Sequence, residues 1–107
     1  MRTYIVLLSF TEEGVKQVGK SVKRHTAFKK IAEENGIVIK ETFWLNGPYD
    51  VLHIIEAETE KAAMVHSLSL ASTGNVRTQT FRAFSADEIT DILESTFNVF
   101  DLIRPVK

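Results

Sequence analysis

Residues 37–57 read Ile37-Val38-Ile39-Lys40-Glu41-Thr42-Phe43-Trp44-Leu45, then Asn46-Gly47-Pro48-Tyr49-Asp50, then Val51-Leu52-His53-Ile54-Ile55-Glu56-Ala57. Two β-rich runs around a Gly-Pro segment predict a pair of antiparallel strands, with proline presetting the backbone torsion at the second turn position. Apolar side chains fall at odd and at even positions of both runs, so the sheet is apolar on both faces and requires cover on both. A chain of 107 residues has helix enough for one side. The other cover is expected from a second copy of the chain.

Outward from that pair, Thr3 to Phe10 is a third strand of the same two-sided kind, with Tyr4, Val6, Leu8 and Phe10 pointing one way and Ile5 and Leu7 the other. Thr11 caps a short helix that opens on Glu12 and Glu13, acids suited to the positive end of a helix dipole. Gly19-Lys20-Ser21 interrupts the pattern, and Ser21 is expected to cap a longer helix that runs to Asn35 and stops at Gly36. Val22, His25, Phe28, Ile31 and Ala32 form its packing stripe. A second long helix is predicted at about Glu60 to Ser72, with Met64, Val65, Leu68 and Ala71 as its inward stripe and Gly74-Asn75 as its stop. Val76 to Phe84 is the fourth strand, and Ser85-Ala86-Asp87-Glu88 is a capping box opening a terminal helix.

Strand, helix, strand, strand, helix, strand is the order of the ferredoxin-like βαββαβ fold, an α+β antiparallel sheet with helices on one face. Pressing two bare sheet faces together gives a dimeric α+β barrel. Residues 1–94 are expected to form this domain. Residues 95–107 are expected to be an extension that docks on its own or a neighbouring subunit through Phe97, Val99, Phe100, Leu102, Ile103 and Val106. That extension either prolongs the terminal helix or runs extended before Pro105.

Composition excludes several classes of function. The absence of cysteine removes disulfides, thiolate metal sites and a cysteine nucleophile, and reads as intracellular. A formal charge of -1 supplies no field for nucleic acid or an anionic membrane. The apolar start, ending at Phe10, is too short to cross a bilayer, and a cytoplasmic location is expected. Lys16, Lys20, Lys23, Arg24, Lys29 and Lys30 are spread around the helices by their spacing and read as a solvated surface, not an RNA footprint. No Gly-rich phosphate loop or nucleophile elbow is present, and no cofactor is expected.

The Gly47-Pro48-Tyr49-Asp50 turn, with Thr11 to Gly14 after the first strand and Asn75-Val76-Arg77-Thr78 opening the fourth, resembles the GYD domain family, named for a Gly-X-Tyr-Asp turn. The resemblance spans about residues 3–92 and implies a dimeric α/β barrel related to the ferredoxin-like fold. A similar turn in the amino-acid-sensing domain of Lrp/AsnC-type regulators implies a ligand at subunit contacts.

Six residues are candidates for ligand binding: Trp44, Tyr49, Asp50, His53, Asn75 and Arg77. Tyr49 and Asp50 sit where a turn delivers a phenol and a carboxylate to the sheet rim; they orient a polar ligand, or Asp50 satisfies backbone donors while Tyr49 packs over the strand end. His53, mid-strand, is either an acid or base in a cleft or a buried histidine bonded to a neighbour. Arg77 clamps a carboxylate, from a ligand or from Asp50 or Glu41, and Asn75 opens the same strand. Trp44, sharing a face with Asn46, lines a pocket or fills a dimer core. His25 is expected at the edge of the core and His66 in solvent; the three histidines share no ligand spacing, and no metal is expected. These residues support a homo-oligomeric, sensor-like protein that binds a small molecule between sheet and helices or between subunits. A cofactor-independent enzyme and a purely structural module are the alternatives.

Overall fold

The computed structural model describes residues 1–98, and the apolar positions expected from Val99 to Val106 lie outside them. The elements follow the βαββαβ order: β1 (Arg2–Phe10), α1 (Glu12–Lys16), a 3-10 turn (Val18–Lys20), α2 (Ser21–Glu34), β2 (Ile37–Trp44), β3 (Val51–Ala57), α3 (Glu60–Ala71), β4 (Val76–Ala83) and α4 (Ala86–Glu94). The four strands form one sheet in the order β2-β3-β1-β4, antiparallel throughout.

Local chemistry accounts for most element ends. Thr11 Oγ1 accepts from the Gly14 N–H at 3.1 Å, and Thr59 Oγ1 accepts from the Ala62 N–H at 3.1 Å. Ser85 and Glu88 complete the capping box, each side chain taking the other's backbone N–H at 3.1 Å. Gly36 and Gly74, at φ 77 and 80, supply the left-handed residues that end α2 and α3. Ser21 departs from expectation. Its helix begins after Lys20 without a side-chain cap, and the Ser21 hydroxyl instead accepts from Trp44 Nε1 at 2.8 Å.

The Gly-Pro connection also differs from a tight turn. Residues 45–50 form an open loop closed by the Leu45 N–H donating to the Asp50 carbonyl at 2.8 Å. Asp50 then fastens this loop to β1. Its N–H donates to Leu8 O at 2.9 Å, and its Oδ2 accepts from the Phe10 N–H at 2.7 Å.

Cross-strand pairing assigns every side chain to a face, because directly opposed residues point the same way. Tyr4, Val6 and Leu8 of β1, Val51, His53, Ile55 and Ala57 of β3, and Ile37 and Ile39 of β2 are buried under α2 and α3. With Ala32 and Ala63 from the helices they form the core. A bulge between Ile39 and Glu41 reverses the facing of the rest of β2. Thr42, paired with His53, and Trp44, paired with Val51, are thereby turned to the helix side.

The other face carries Ile5 paired with Ile54 and Phe81, and Leu7 paired with Leu52 and Gln79. Phe43 and Phe81 there are about half exposed, at 51% and 50%. Among the described residues of one chain no helix covers them: α2 contacts β2, α3 contacts β3 and β4 on the opposite side, and α4 buries none of its residues.

The facing of α3 overturns the expected stripe. Ala63, His66 and Ser67 are buried, whereas Met64, Val65 and Leu68 are exposed. His66 is therefore a core residue and not a solvent-facing one. The physical reason is size: Ala63 and Ser67 let the helix lie close to the sheet, where the Ser67 hydroxyl hydrogen-bonds the Thr80 hydroxyl of β4.

Candidate functional site

A cavity of about 380 Å³ lies between the helix side of the sheet and the α1 to α2 segment. Its walls are apolar and aromatic, with Phe10 and Val51 on the strands, Phe28 and Ile31 on α2, and Trp44 at the end of β2. Trp44 is held by its indole bond to Ser21 and by an edge contact to the His25 ring, with centroids 5.6 Å apart. The bulge in β2 is thus what delivers Trp44 to this cavity. The polar groups of the lining include Gln17, Arg24, His25, His53 and Asn75, and among the described residues no Asp or Glu lines it.

Three histidines from three elements meet at the inner end. His53 of β3 stands between the other two, with ring centroids 5.3 Å from His25 of α2 and 5.5 Å from His66 of α3. His53 Nδ1 and His66 Nε2 share a hydrogen bond at 3.3 Å, and Phe28 meets the His66 ring edge-on at 5.2 Å. Burial pushes the His53 imidazole down to about 3, helped by its two histidine neighbours, and burial alone takes His66 down to about 4. Burial and nearby Lys29 lower His25 as well. At neutral pH the cluster is uncharged. His25 Nδ1, His66 Nδ1 and Thr42 Oγ1 are buried without a hydrogen-bond partner among the described residues. Among those residues no group of three or more His, Cys, Asp or Glu is arranged to hold a metal ion.

The candidate residues separate into two places. Trp44, His53 and Asn75 line the cavity. Tyr49 lies across the bare face, where its hydroxyl donates to Gln79 Oε1 at 3.0 Å. Arg77 pairs with Ser9 on that same bare face, is exposed, and forms no ion pair with Asp50 or Glu41. Asp50 is occupied with the backbone of β1. His25, Arg24 and Gln17 belong to the cavity and His66 to the cluster behind it; sequence spacing alone did not single them out, because the three histidines meet only through the sheet and both helices.

A single-sheet α+β protein of ferredoxin-like topology, with a helix-roofed cavity on one face and, on the other, an apolar surface that no described helix covers, is the class this geometry defines. The chain belongs to the GYD domain family, whose model matches residues 4–93. It is 30% identical over 90 residues to a Thermus thermophilus protein described as glutamine synthetase and cystathionine beta-lyase binding protein, covering 83% of this chain and 95% of that one. Two solved structures share the fold. The crystal structure of FFRP-DM1 matches with a TM-score of 0.57 at 20% identity, covering 78% of this chain and 100% of that one. The crystal structure of TTHA0845 from Thermus thermophilus matches with a TM-score of 0.52 at 24% identity, covering 80% and 96%.

Proposed function

We propose that this chain is a homo-oligomeric binding protein of sensor type, which holds a small molecule in the cavity between its sheet and α2. The cavity carries this reading: about 380 Å³ is at the small end of the volumes that accommodate organic ligands. Its apolar walls supply affinity, and His53, Asn75 and Arg24 supply orientation. Assembly through the bare sheet face, with Phe43, Phe81, Leu7 and Leu52 at its centre, leaves that cavity on the outside of the dimer, reachable by a ligand. A thermal-shift screen of amino acids and small aromatic acids tests the reading, since a ligand that binds only the folded state raises the melting temperature by mass action. No stabilisation across a broad library at millimolar concentration would remove it.

A second reading is favoured by the name of the Thermus relative, which describes a protein that binds two enzymes. The outward Met64, Val65 and Leu68 of α3 form an apolar strip on which another protein can seat. Under this reading, co-elution with an enzyme partner is abolished by Leu68→Glu while the cavity is left unaltered. The cofactor-independent enzyme has weaker support, because Tyr49 and Arg77 lie on the face opposite His53.

A further inference from the structure

Two features bear on the ligand class of the cavity: the charges in its lining and the hydrogen bond of the histidine pair, from which its tautomer is deduced. Among the described residues, Arg24 and His25 of α2 and His53 of β3 are the basic side chains of the lining, and no carboxylate lines it. Arg24 hydrogen-bonds the neutral Gln17 side chain and forms no ion pair among the described residues, so its charge is not neutralised. A lining with no carboxylate among the described residues, and with a guanidinium that none of them pairs, favours an anion.

The tautomer points the same way. A neutral imidazole carries one N–H and one lone pair. In the His53–His66 bond, one of Nδ1 and Nε2 must donate. If His53 donated, the His66 proton would reside on Nδ1, which is buried without a partner. An orphaned buried N–H costs on the order of 1–3 kcal/mol, and orphaned donors are rarer than orphaned acceptors. His66 therefore donates through Nε2, and its Nδ1 is left as a lone pair. The His53 proton then resides on Nε2, which makes no hydrogen bond among the described residues and, unlike His66 Nδ1, is not sealed from solvent. His53, which lines the cavity, thus has a donor free for a ligand.

We propose that the ligand is a small monocarboxylate with an aromatic or branched apolar body, its carboxylate accepting from His53 Nε2–H under the positive field of Arg24 and its body lying against Phe10, Phe28 and Trp44. This rests on the cavity being a ligand site, as argued under the proposed function. The low proton affinity of His53 fits, because the group meets the anion as a neutral donor and needs no proton uptake to do so.

Titration calorimetry at pH 7.5 with 3-phenylpropionate and with its neutral isostere 3-phenylpropionamide separates the two levels of the argument. The acid is expected to bind at least tenfold tighter than the amide. Arg24→Gln, an exposed position that leaves the core intact, is expected to weaken the acid several-fold and the amide little. His53→Phe is expected to lose at least tenfold for the acid; should it fail to fold, the Arg24 variant alone decides. Equal binding of acid and amide, or full retention of acid affinity in Arg24→Gln, overturns the carboxylate assignment and leaves the cavity reading standing. No heat and no change in Trp44 fluorescence with either compound overturns the carboxylate assignment, and overturns the cavity reading with it when the broad library also gives no stabilisation.

Discussion

Gly14 of α1 lies directly against the Asn75 backbone, and a β-carbon at position 14 would overlap the Asn75 carbonyl oxygen. That carbonyl accepts the Thr11 N–H at 3.0 Å, while the Thr11 hydroxyl donates to Gly74 O at 2.6 Å. The start of α1 is thus sewn to the loop that opens β4, and both segments border the cavity. Gly14→Ala must displace backbone, and is expected to destabilise the protein by about 1–3 kcal/mol or more. Gly19→Ala has nothing within 4 Å and a backbone open to any residue, so it is expected to be neutral or stabilising by up to about 1 kcal/mol. Urea unfolding of the two variants gives the comparison, and equal midpoints would refute the close approach.

The buried histidine pair makes stability depend on pH with a definite sign. In the unfolded chain His53 and His66 take up protons near 6.5; in the folded chain they resist until about 3 and about 4. Between those limits the unfolded state holds more protons, so stability is complete above pH 6.5 and falls as the pH drops toward 4. Each histidine contributes a slope of about 1.4 kcal/mol per pH unit in that window. Among the described residues no carboxylate opposes this: His66 and His25 act on His53, and Lys29 acts on His25. Unfolding free energies at pH 7, 6 and 5 should decline in wild type and decline less steeply in His66→Gln. Parallel profiles would show that the pair is not buried uncharged.

How far these features could be read in advance varies with their physical origin. Thr11, Gly36, Gly74 and the Ser85–Glu88 box act within a few residues of themselves, and the element ends they set follow from local chemistry. The two-sided strands likewise announce a sheet with one face to spare. The orientation of α3 was not legible, because Ala62, Ala63, Met64, Val65, Leu68, Leu70 and Ala71 make its sequence apolar nearly all round. Only the small size of Ala63 and Ser67 against the sheet selects the face. Of the site, Trp44, His53 and Asn75 stood out as residue types. Their meeting with His25 and Arg24 depends on a bulge at Lys40 and on the path of α2, neither of which leaves a periodic signal.

Asp50 reads as a structural tie between the 45–50 loop and β1. Its carboxylate takes the Phe10 N–H at the strand end, where β1 no longer pairs with β3. A hydrogen bond from backbone to a charged acceptor contributes about 1.5–3 kcal/mol. Asp50→Ala is expected to lower stability by about that amount, and Asp50→Asn by less, since an amide oxygen can still accept. Neither should change ligand affinity in the cavity, because Asp50 does not line it. A loss of binding without loss of stability would return Asp50 to the ligand site.

The sheet face that no described helix covers sets the last expectation. Ile5, Leu7, Leu52, Ile54 and Phe81 lie contiguously across β3, β1 and β4, with the Tyr49 hydroxyl on Gln79 at one margin. Phe43 and Phe81 on this face are about half exposed, at 51% and 50%, and covering their remaining apolar surface favours association at roughly 25 cal/mol per Å². Sedimentation at micromolar concentration should give a mass above the 12.1 kDa of one chain. Leu52→Glu places a carboxylate on the face beside Leu7 of β1, and a two-fold dimer through this face would bury that charge and its symmetry-related copy in one apolar contact. The variant should sediment as a single chain with an unchanged circular dichroism spectrum, since Leu52 lies on the side of β3 away from the core. A wild-type monomer would remove the second cover altogether. An assembled Leu52→Glu would move the contact to another surface, with the Met64, Val65 and Leu68 strip of α3 the next to be substituted.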